Sequence, residues 1–268
     1  MYTFKLGKKI GSGSFGKVYT GVSSSGKSLA IKFEKKSIKV PQIGYEYRLY
    51  KELNKLRMQN IPKVFYYGKY NDKYNCMVMQ NCGVELPRYL ESGNVSDREK
   101  AGVCVTLMQT LKTLHGFGIL HRDIKPRNIT VDADGTMYLV DFGLAKKFIQ
   151  TNGLHIPCKH KKGITGTPRY CSTWTHLGYE CSRRDDMLGA LYCIVWMYRG
   201  TLPWQGVGKG LEKAEKTKLV MKLKMRTSGK ELCAGCPPEI QRVYFLIKDL
   251  DFTDEPPYNS ILKILHKI

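Results

Sequence analysis

The sequence predicts an α+β protein with a small β-rich N-terminal lobe and a larger, mainly α-helical C-terminal lobe. Residues 1–79 alternate between apolar and polar types, as strands do, whereas residues beyond 86 carry apolar side chains at helical spacing. The 268 residues, 42% hydrophobic and 25% charged, have globular proportions and suffice for two packed lobes. We therefore expect one domain over 1–268, with lobes at 1–79 and 87–268 and a connector at 80–86.

The N-terminal lobe is predicted from alternation and turn residues. Four segments have the pattern of half-buried strands: 17–22, 28–34, 63–67 and 74–79. Apolar residues recur at helical spacing from Tyr45 to Leu56, so one amphipathic helix is expected over 44–57.

The C-terminal lobe shows three helix signals. Ser96 and Glu99 have the spacing of a capping box before a long apolar stripe that Gly116 and Gly118 end. Residues 187–198 are apolar all round, which is typical of a buried helix. Residues 261–265 should form a final helix.

The net charge is +21, which attracts anions such as nucleic acid, acidic lipid or phosphorylated protein. A solubilising surface is the alternative explanation. The nine cysteines are odd in number and scattered, which favours reduced thiols inside a cell. The CxxC pair at 233–236 lacks a second ligand pair, so we expect thiols there and not a zinc site.

We expect an intracellular protein that does not enter a membrane. The N-terminal residues lack the apolar stretch of a signal peptide, and the apolar segment 187–198 is too short to span a bilayer. The cytoplasm is the expected compartment. Lysine runs such as 209–224 fit either a nuclear import signal or a solvated surface.

A glycine-rich segment suggests nucleotide binding. Residues 11–18, GSGSFGKV, match G-x-G-x-x-G-x-V, and a strand follows them, which argues against a Rossmann site. Glycines let the backbone come close to phosphates and present N–H groups to them. The candidate phosphate-binding residues are Gly11, Ser12, Gly13, Ser14, Phe15 and Gly16.

A lysine on the next strand is the first catalytic candidate. Residues 29–32, LAIK, resemble the V-A-I-K strand of protein kinases. On the inner face of that strand, Lys32 would neutralise the α- and β-phosphates of ATP, and it needs a carboxylate partner. Glu46 on the following helix is our choice, and Glu52 is the alternative.

The segment 121–128, HRDIKPRN, matches H-R-D-x-x-x-x-N in order and spacing. Asp123 can orient an attacking hydroxyl and accept its proton. Lys125 can reach the transferring phosphoryl group, and Asn128 offers an amide oxygen to Mg²⁺.

The tripeptide DFG at 141–143 begins thirteen residues after Asn128, a distance that makes a chance match to the kinase pattern implausible. Asp141 supplies a carboxylate that bridges Mg²⁺ to the nucleotide phosphates. Together with HRDIKPRN it predicts a kinase that uses ATP and Mg²⁺ in a cleft between the lobes.

Three further segments resemble one kinase family. They are GTPRYCSTWTHLG at 166–178, SRRDD at 182–186 and LPWQG at 202–206. They are similar to GTARYASINTHLG, SRRDD and LPWQG of the casein kinase 1 family, and the resemblance extends over about 4–265. It implies a bilobal protein-kinase fold and transfer of the ATP γ-phosphate to Ser or Thr hydroxyls of acidic or pre-phosphorylated proteins.

The resemblance also implies roles for individual residues. Thr167 would tie the activation segment to Asp123 and Lys125, and Asp186 would anchor the backbone around Arg122. A substrate anion pocket would contain Arg169, Lys162 and Lys216, the last only if one residue is inserted after Trp204. A plain solvated surface is the alternative for the two lysines.

The same comparison implies an adenine site. Met79 would border the inner pocket, and backbone groups from Gln80 to Cys82 would bind the base. The apolar wall candidates are Ile10, Phe15, Val18 and Ala30, with Leu139 or Val140, for which a core role is equally open.

The chain departs from the family at three positions near the substrate. Arg127 replaces an aspartate, and Pro168 and Trp174 replace alanine and asparagine, so substrate selectivity is open. An inert scaffold and a basic nucleic-acid binder are the competing hypotheses. We expect a monomer whose partners are acidic or phosphorylated proteins, with nucleic-acid binding only as a side activity.

Overall fold

A computed structural model describes residues 2–13, 16–93 and 95–268. The chain forms two compact units, one of Met1–Val84 with Thr130–Gly143 and one of Glu85–Ile129 with Leu144–Ile268. An antiparallel sheet dominates the first unit and helices the second, which confirms the predicted fold class.

The first unit also contains a segment from the part of the sequence that was expected to belong to the C-terminal lobe. Thr130–Gly143 follows the predicted connector in sequence, yet it packs with the N-terminal residues. Asn60 Nδ2 donates to the Met137 carbonyl at 2.9 Å, and the Leu139 N–H donates to the Asn60 carbonyl at 2.9 Å. These contacts join residues that are far apart in sequence.

Five strands form the antiparallel sheet of the first unit, in the order β1-β2-β3-β5-β4. They are β1 (Phe4–Gly13), β2 (Gly16–Ser23), β3 (Ser28–Lys35), β4 (Val64–Lys69) and β5 (Tyr74–Gln80). Helix α1 (Ile43–Lys55) lies between β3 and β4 in sequence, as predicted. Shorter strands follow: β6 (Val84–Glu85), β7 (Ile119–Leu120), β8 (Ile129–Val131), β9 (Met137–Leu139) and β10 (Lys146–Lys147).

Strand β3 shows why alternation positions a functional side chain. Leu29, Ile31 and Phe33 pack in a buried cluster with residues of β5. Because successive side chains of a strand point to opposite faces, Ala30 and Lys32 lie on the other face.

The second unit contains most of the helices. They are α2 (Leu86–Glu91), α3 (Asp97–Gly116), α4 (Thr173–His176), α5 (Arg183–Arg199), α6 (Lys213–Arg226), α7 (Gly229–Leu232), α8 (Pro238–Ile247) and α9 (Tyr258–Leu265). The predicted capping box is present, since the Glu99 N–H donates to Ser96 Oγ and the Ser96 N–H donates to Glu99 Oε2.

Helix α5 is the predicted buried helix, but it begins earlier than apolarity indicated. The Ser182 N–H donates to Asp185 Oδ2 at 2.7 Å, which satisfies a backbone donor that would otherwise lack a partner at the N-terminus. A helix can therefore begin within the charged residues of 182–186. None of the helices in the described part of the chain has the length and apolarity needed to cross a bilayer.

Candidate active site

In the first unit, one lysine joins two carboxylates. Lys32 Nζ lies 2.7 Å from Glu46 Oε2 and 2.7 Å from Asp141 Oδ1. Lys32 is 6% exposed and Glu46 is 1% exposed. Helix α1 therefore presents Glu46, the first of the two candidate partners, to this lysine, whereas Glu52 is exposed.

Burial and charge act in opposite directions within this triad. Burial lowers the pKa of Lys32, but Glu46 and Asp141 outweigh it and hold the pKa above its ordinary value. Burial raises the pKa of Glu46 to about 7 against the opposing effect of Lys32. The lysine is thus a fixed cation at neutral pH, and the glutamate titrates within the physiological range.

The backbone of Asp141 is held in an uncommon conformation. Its φ is 67°, in the left-handed region that few non-glycine residues adopt. Its N–H donates to Tyr50 Oη at 3.0 Å, and the Tyr50 ring packs against Phe142 with ring centroids 5.0 Å apart. Both rings are fully buried, so the core of this unit positions the Asp141 carboxylate on Lys32.

The glycines of the β1–β2 turn differ in what the fold requires. A Cβ on Gly16, whose φ is 144°, would lie 2.0 Å from the Phe33 carbonyl oxygen, so packing demands glycine there. A Cβ on Gly11 would meet only Val18, at 3.6 Å, and one on Gly13 would meet no described atom within 4 Å. Ser14 and Phe15 lie outside the described residues.

The space around Gly11 and Gly13 bears on the predicted phosphate binding by this turn. Because packing does not exclude side chains at Gly11 and Gly13, the fold alone does not account for glycine at either position. Close approach of a ligand to the backbone does account for it. Ser12 between them is exposed.

The predicted nucleotide-facing side chains share one face of the sheet. Val18 pairs with Lys32, and Ala30 pairs with Met79. Side chains directly opposite on antiparallel strands lie on the same face, which here is the face away from the buried cluster. Ile10 is half-buried in the strand before the turn.

One of the backbone groups predicted to bind adenine already has a partner within the protein. The Gln80 N–H donates to the Lys63 carbonyl at 2.8 Å, so this amide is already used. The Cys82 thiol lies 3.7 Å from the Gln80 carbonyl oxygen. Leu139 is fully buried and Val140 is half-buried.

In the second unit, the Asp123 carboxylate is held at both oxygens. Thr167 Oγ1 donates to Asp123 Oδ1 at 2.8 Å, and Lys125 Nζ lies 2.5 Å from Asp123 Oδ2. Asn128 Nδ2 donates to the Asp123 carbonyl at 2.9 Å. Three sequence-predicted residues therefore contact the buried Asp123.

The loop that carries Asp123 is anchored from helix α5. The His121 N–H donates to Asp186 Oδ2 at 2.7 Å, and the Arg122 N–H donates to Asp186 Oδ1 at 2.8 Å. His115 Nε2 lies 3.0 Å from the same carboxylate. The predicted anchoring role of Asp186 is confirmed, and it fixes a loop in which Arg122 has a φ of 66°.

The metal-ligand candidates suit Mg²⁺ by their chemistry. Asp141 contributes a carboxylate, and Asn128 has its amide oxygen left for a ligand because Asp123 accepts from its nitrogen. Mg²⁺ prefers oxygen ligands and keeps waters and phosphates in its shell. In 2–13, 16–93 and 95–268, no cluster of three or more His, Cys, Asp or Glu could hold a metal ion.

A cavity of about 620 Å³ in the second unit has a cationic lining. Its cationic side chains are Lys125, Arg127, Arg169, Lys213 and Lys216. Among the residues that the structure describes, no Asp or Glu lines this cavity. Two of the three predicted anion-pocket residues, Arg169 and Lys216, therefore lie in one cavity with the lysine that contacts Asp123.

Lys162, the third predicted member, is placed elsewhere. Its Nζ lies 2.5 Å from Glu180 Oε2, and Lys162 does not line the cationic cavity. Lys146 Nζ lies 2.9 Å from the same oxygen. Lys162 therefore contacts a buried carboxylate and does not line this cavity, and its assignment to the anion pocket stays a prediction.

Sequence patterns missed several of these residues. Glu180 and Lys213 stand in no chemical motif, and only tertiary contacts reveal the partners of Glu180. Arg127 departs from the family pattern, but only the structure shows that it lines the cationic cavity.

Comparison with known families agrees with the geometry of both units. A family model of the protein kinase domain matches residues 4–244. The match includes every candidate residue described above, from the glycine-rich turn to the cationic cavity. The chain belongs to the protein kinase family, whose members transfer phosphoryl groups to proteins.

Proposed function

We propose that the chain is a serine/threonine kinase similar to casein kinase 1. It transfers the γ-phosphate of ATP, bound with Mg²⁺, to hydroxyls of acidic or pre-phosphorylated proteins. The observation that carries this proposal is the cationic cavity without acidic lining, because Lys125 both lines the cavity and contacts Asp123. The choice of serine and threonine rests on the casein kinase 1 resemblance.

Asp123 is the proposed acceptor of the hydroxyl proton. With Thr167 on one oxygen and Lys125 on the other, its carboxylate has a defined orientation. Proton transfer needs such a base within hydrogen-bond distance of the attacking group. Lys125 would stabilise the charge that spreads over the transferring phosphoryl oxygens.

Lys32 is the proposed cation for the nucleotide phosphates. Glu46 and Asp141 hold its ammonium, so little side-chain freedom is lost when phosphate binds. The bound Mg²⁺-nucleotide supplies the phosphoryl group and the cation that offsets its charge. Asp141 and Asn128 would hold that ion through oxygen atoms, and the backbone at Gly11 and Gly13 would approach the phosphates.

The substrate class follows from charge. Arg169 and Lys216 are exposed and line the cavity beside Lys125, so an acidic or phosphorylated side chain near the acceptor hydroxyl would find cations there. A guanidinium binds phosphate through paired N–H groups. Arg127 adds a cation where the family has an aspartate, which favours acidic over basic residues in the acceptor.

Two alternative functions, an inert scaffold and a nucleic-acid binder, differ from this proposal in what they predict. An inert scaffold would lack one of Lys32, Asp123 or Asp141, and the chain has all three. The +21 charge favours nucleic-acid binding as a side activity, which would weaken steeply with salt. We propose a monomer that does not depend on membranes or nucleic acid.

The test is phosphate transfer from radiolabelled ATP to casein and to matched peptides, with and without a phosphoserine before the acceptor serine. The wild-type protein should label the peptides only with Mg²⁺ present, and more strongly when they are primed. Asp123→Asn and Asp141→Asn should label neither. Labelling by both variants at the wild-type level, or no labelling by the wild type, would contradict the proposal.

A further inference from the structure

A buried lysine outside the proposed catalytic groups contacts the substrate segment. Lys224 lies on α6 and is 6% exposed, although most lysines of this helix are exposed. Its Nζ donates to the Pro168 carbonyl at 2.8 Å and also to the Cys171 carbonyl. One ammonium therefore binds the backbone at both ends of the segment 168–171.

This ammonium has no carboxylate partner among the described residues. Its surroundings are the ring faces of Tyr192 and Trp204, at 5.1 and 5.2 Å from their centroids. Burial lowers the pKa of Lys224 to about 8. A buried cation without a counter-ion costs folding free energy, which aromatic rings and two carbonyls offset only in part. Stability therefore does not account for a lysine at this position.

The segment that Lys224 binds carries groups of the proposed site. Thr167 immediately precedes it and donates to Asp123, and Arg169 lies within it. Trp204 Nε1 donates to the Arg169 carbonyl at 2.8 Å. The carbonyls of Pro168, Arg169 and Cys171 are thus held by side chains that come from outside this segment.

We propose that Lys224 is a positioning residue, which fixes the backbone of 168–171 so that Thr167 and Arg169 are correctly placed for the acceptor peptide. The inference rests on the proposed function, because it assigns Lys224 to the binding of that peptide. The bonds of Lys224 go to Pro168 and Cys171 and not to the proposed nucleotide groups Lys32 and Asp141. Loss of Lys224 should therefore weaken peptide use and leave ATP binding intact.

The other titratable groups around Lys224 do not titrate in the same range. Burial raises the pKa of the Cys171 thiol to about 11 and lowers that of His176, whose Nε2 lies 3.0 Å from the Pro168 carbonyl oxygen, to about 4. Burial also raises the pKa of Tyr192 and that of Tyr244, which lines a neighbouring cavity with Lys224. A change in peptide use near pH 8 that ATP hydrolysis does not share would therefore come from Lys224.

The test compares Lys224→Met with Lys222→Met, an exposed lysine of the same helix. The measurements are Tm, steady-state kinetics with an acidic acceptor peptide and with ATP, and amide hydrogen exchange of residues 169–172. In Lys224→Met we expect kcat/KM for the peptide to fall about tenfold or more, since small displacements of a positioned group have effects of this size. The KM for ATP should match that of the wild type, and the Tm should be at or above the wild-type Tm. Exchange at 169–172 should rise.

Lys222→Met should match the wild type in every measurement. Wild-type exchange at 169–172 together with wild-type peptide kinetics in Lys224→Met would overturn the proposal. So would a lower Tm with equal losses for ATP and peptide, which indicates a merely structural role. An inactive wild type would refute the proposed kinase function instead, and the exchange measurement would still decide whether Lys224 holds the segment.

If Lys224→Met does not fold, the pH dependence of the wild-type kinetics tests the proposal. Loss of the Lys224 proton weakens its charge-assisted bonds to the carbonyls, so peptide kcat/KM should decline between about pH 7 and 9 relative to ATP hydrolysis. A constant ratio over that range would overturn the proposal.

Discussion

Lys162 Nζ lies 2.5 Å from Glu180 Oε2, so a lysine that the resemblance assigns to substrate binding is paired with a buried carboxylate. Lys146 and Arg122 lie 2.9 and 3.9 Å from the same carboxylate. Burial acts to raise the pKa of Glu180, but Lys162 and Lys146 outweigh it and hold the pKa below its ordinary value. The charges of this cluster, defined as Glu180 with Arg122, Lys146 and Lys162, therefore serve the fold.

Glu180→Gln should lower the free energy of unfolding by about 2 kcal/mol, because it removes the negative charge between three cations. The loss is limited to this size because the two lysines are partly solvated. Urea unfolding measures this loss, and Glu91→Gln, at an exposed site, should show none. The pKa of Glu180 is depressed, so its contribution is present above the unfolded value of 4.5 and is lost as the pH falls through the folded pKa. An equal loss at acidic and neutral pH would contradict this account.

The anion-pocket residues should separate from Lys162 in their effect on substrate choice. Arg169→Ala and Lys216→Ala should each reduce the ratio of primed to unprimed peptide turnover about tenfold, the size expected for a lost charge-assisted bond. Lys162→Met should leave the ratio unchanged and reduce stability, because it contacts Glu180. Initial rates on the matched peptides decide this, and an unchanged ratio in Arg169→Ala would remove the pocket from the proposal.

Glu46→Gln should separate activity from stability. Burial raises the pKa of Glu46 to about 7, so the folded state holds the extra proton below that pH and its contribution to stability is lost as the pH rises through 7. At pH 8 the neutral amide should thus be at least as stable as the wild type. ATP turnover should fall about tenfold or more because Lys32 loses one of its two partners.

Thermal unfolding and ATP kinetics between about pH 5 and 8 provide the measurement. The Tm difference between Glu46→Gln and the wild type should increase in favour of the variant with rising pH. Glu52→Gln is the matched control on the same helix and should change neither quantity. A Tm difference that is constant over this range would contradict a titration of Glu46 near 7.

The two glycines at the β1–β2 turn should respond differently to alanine. Gly16→Ala should cost about 3 kcal/mol, since its Cβ would strike the Phe33 carbonyl and its φ is unfavourable for alanine. Gly13→Ala should change stability by less than about 0.5 kcal/mol and raise the KM for ATP. Urea unfolding and ATP kinetics on both variants check this, and a stability loss at Gly13 equal to that at Gly16 would contradict a ligand role for Gly13.

Much of the fold followed from local patterns. Alternation predicted β2, β3 and β5, a capping box predicted the start of α3, and apolarity predicted the body of α5. These signals depend on contacts within a few residues. The return of Thr130–Gly143 to the first unit depends on partners far away in sequence, such as Asn60, and no local pattern encodes it.

The sequence by itself determined the chemistry of this protein, because phosphoryl transfer needs particular side chains at short, recognisable spacings, as at Asp123, Lys125 and Asn128. The tertiary structure alone decided which charges are available. Lys162, Lys216 and Lys224 are alike as lysines in a basic sequence, yet one pairs with Glu180, one lines a cavity and one binds backbone carbonyls. The availability of a charge depends on burial and on the groups around it, and those come from distant parts of the chain.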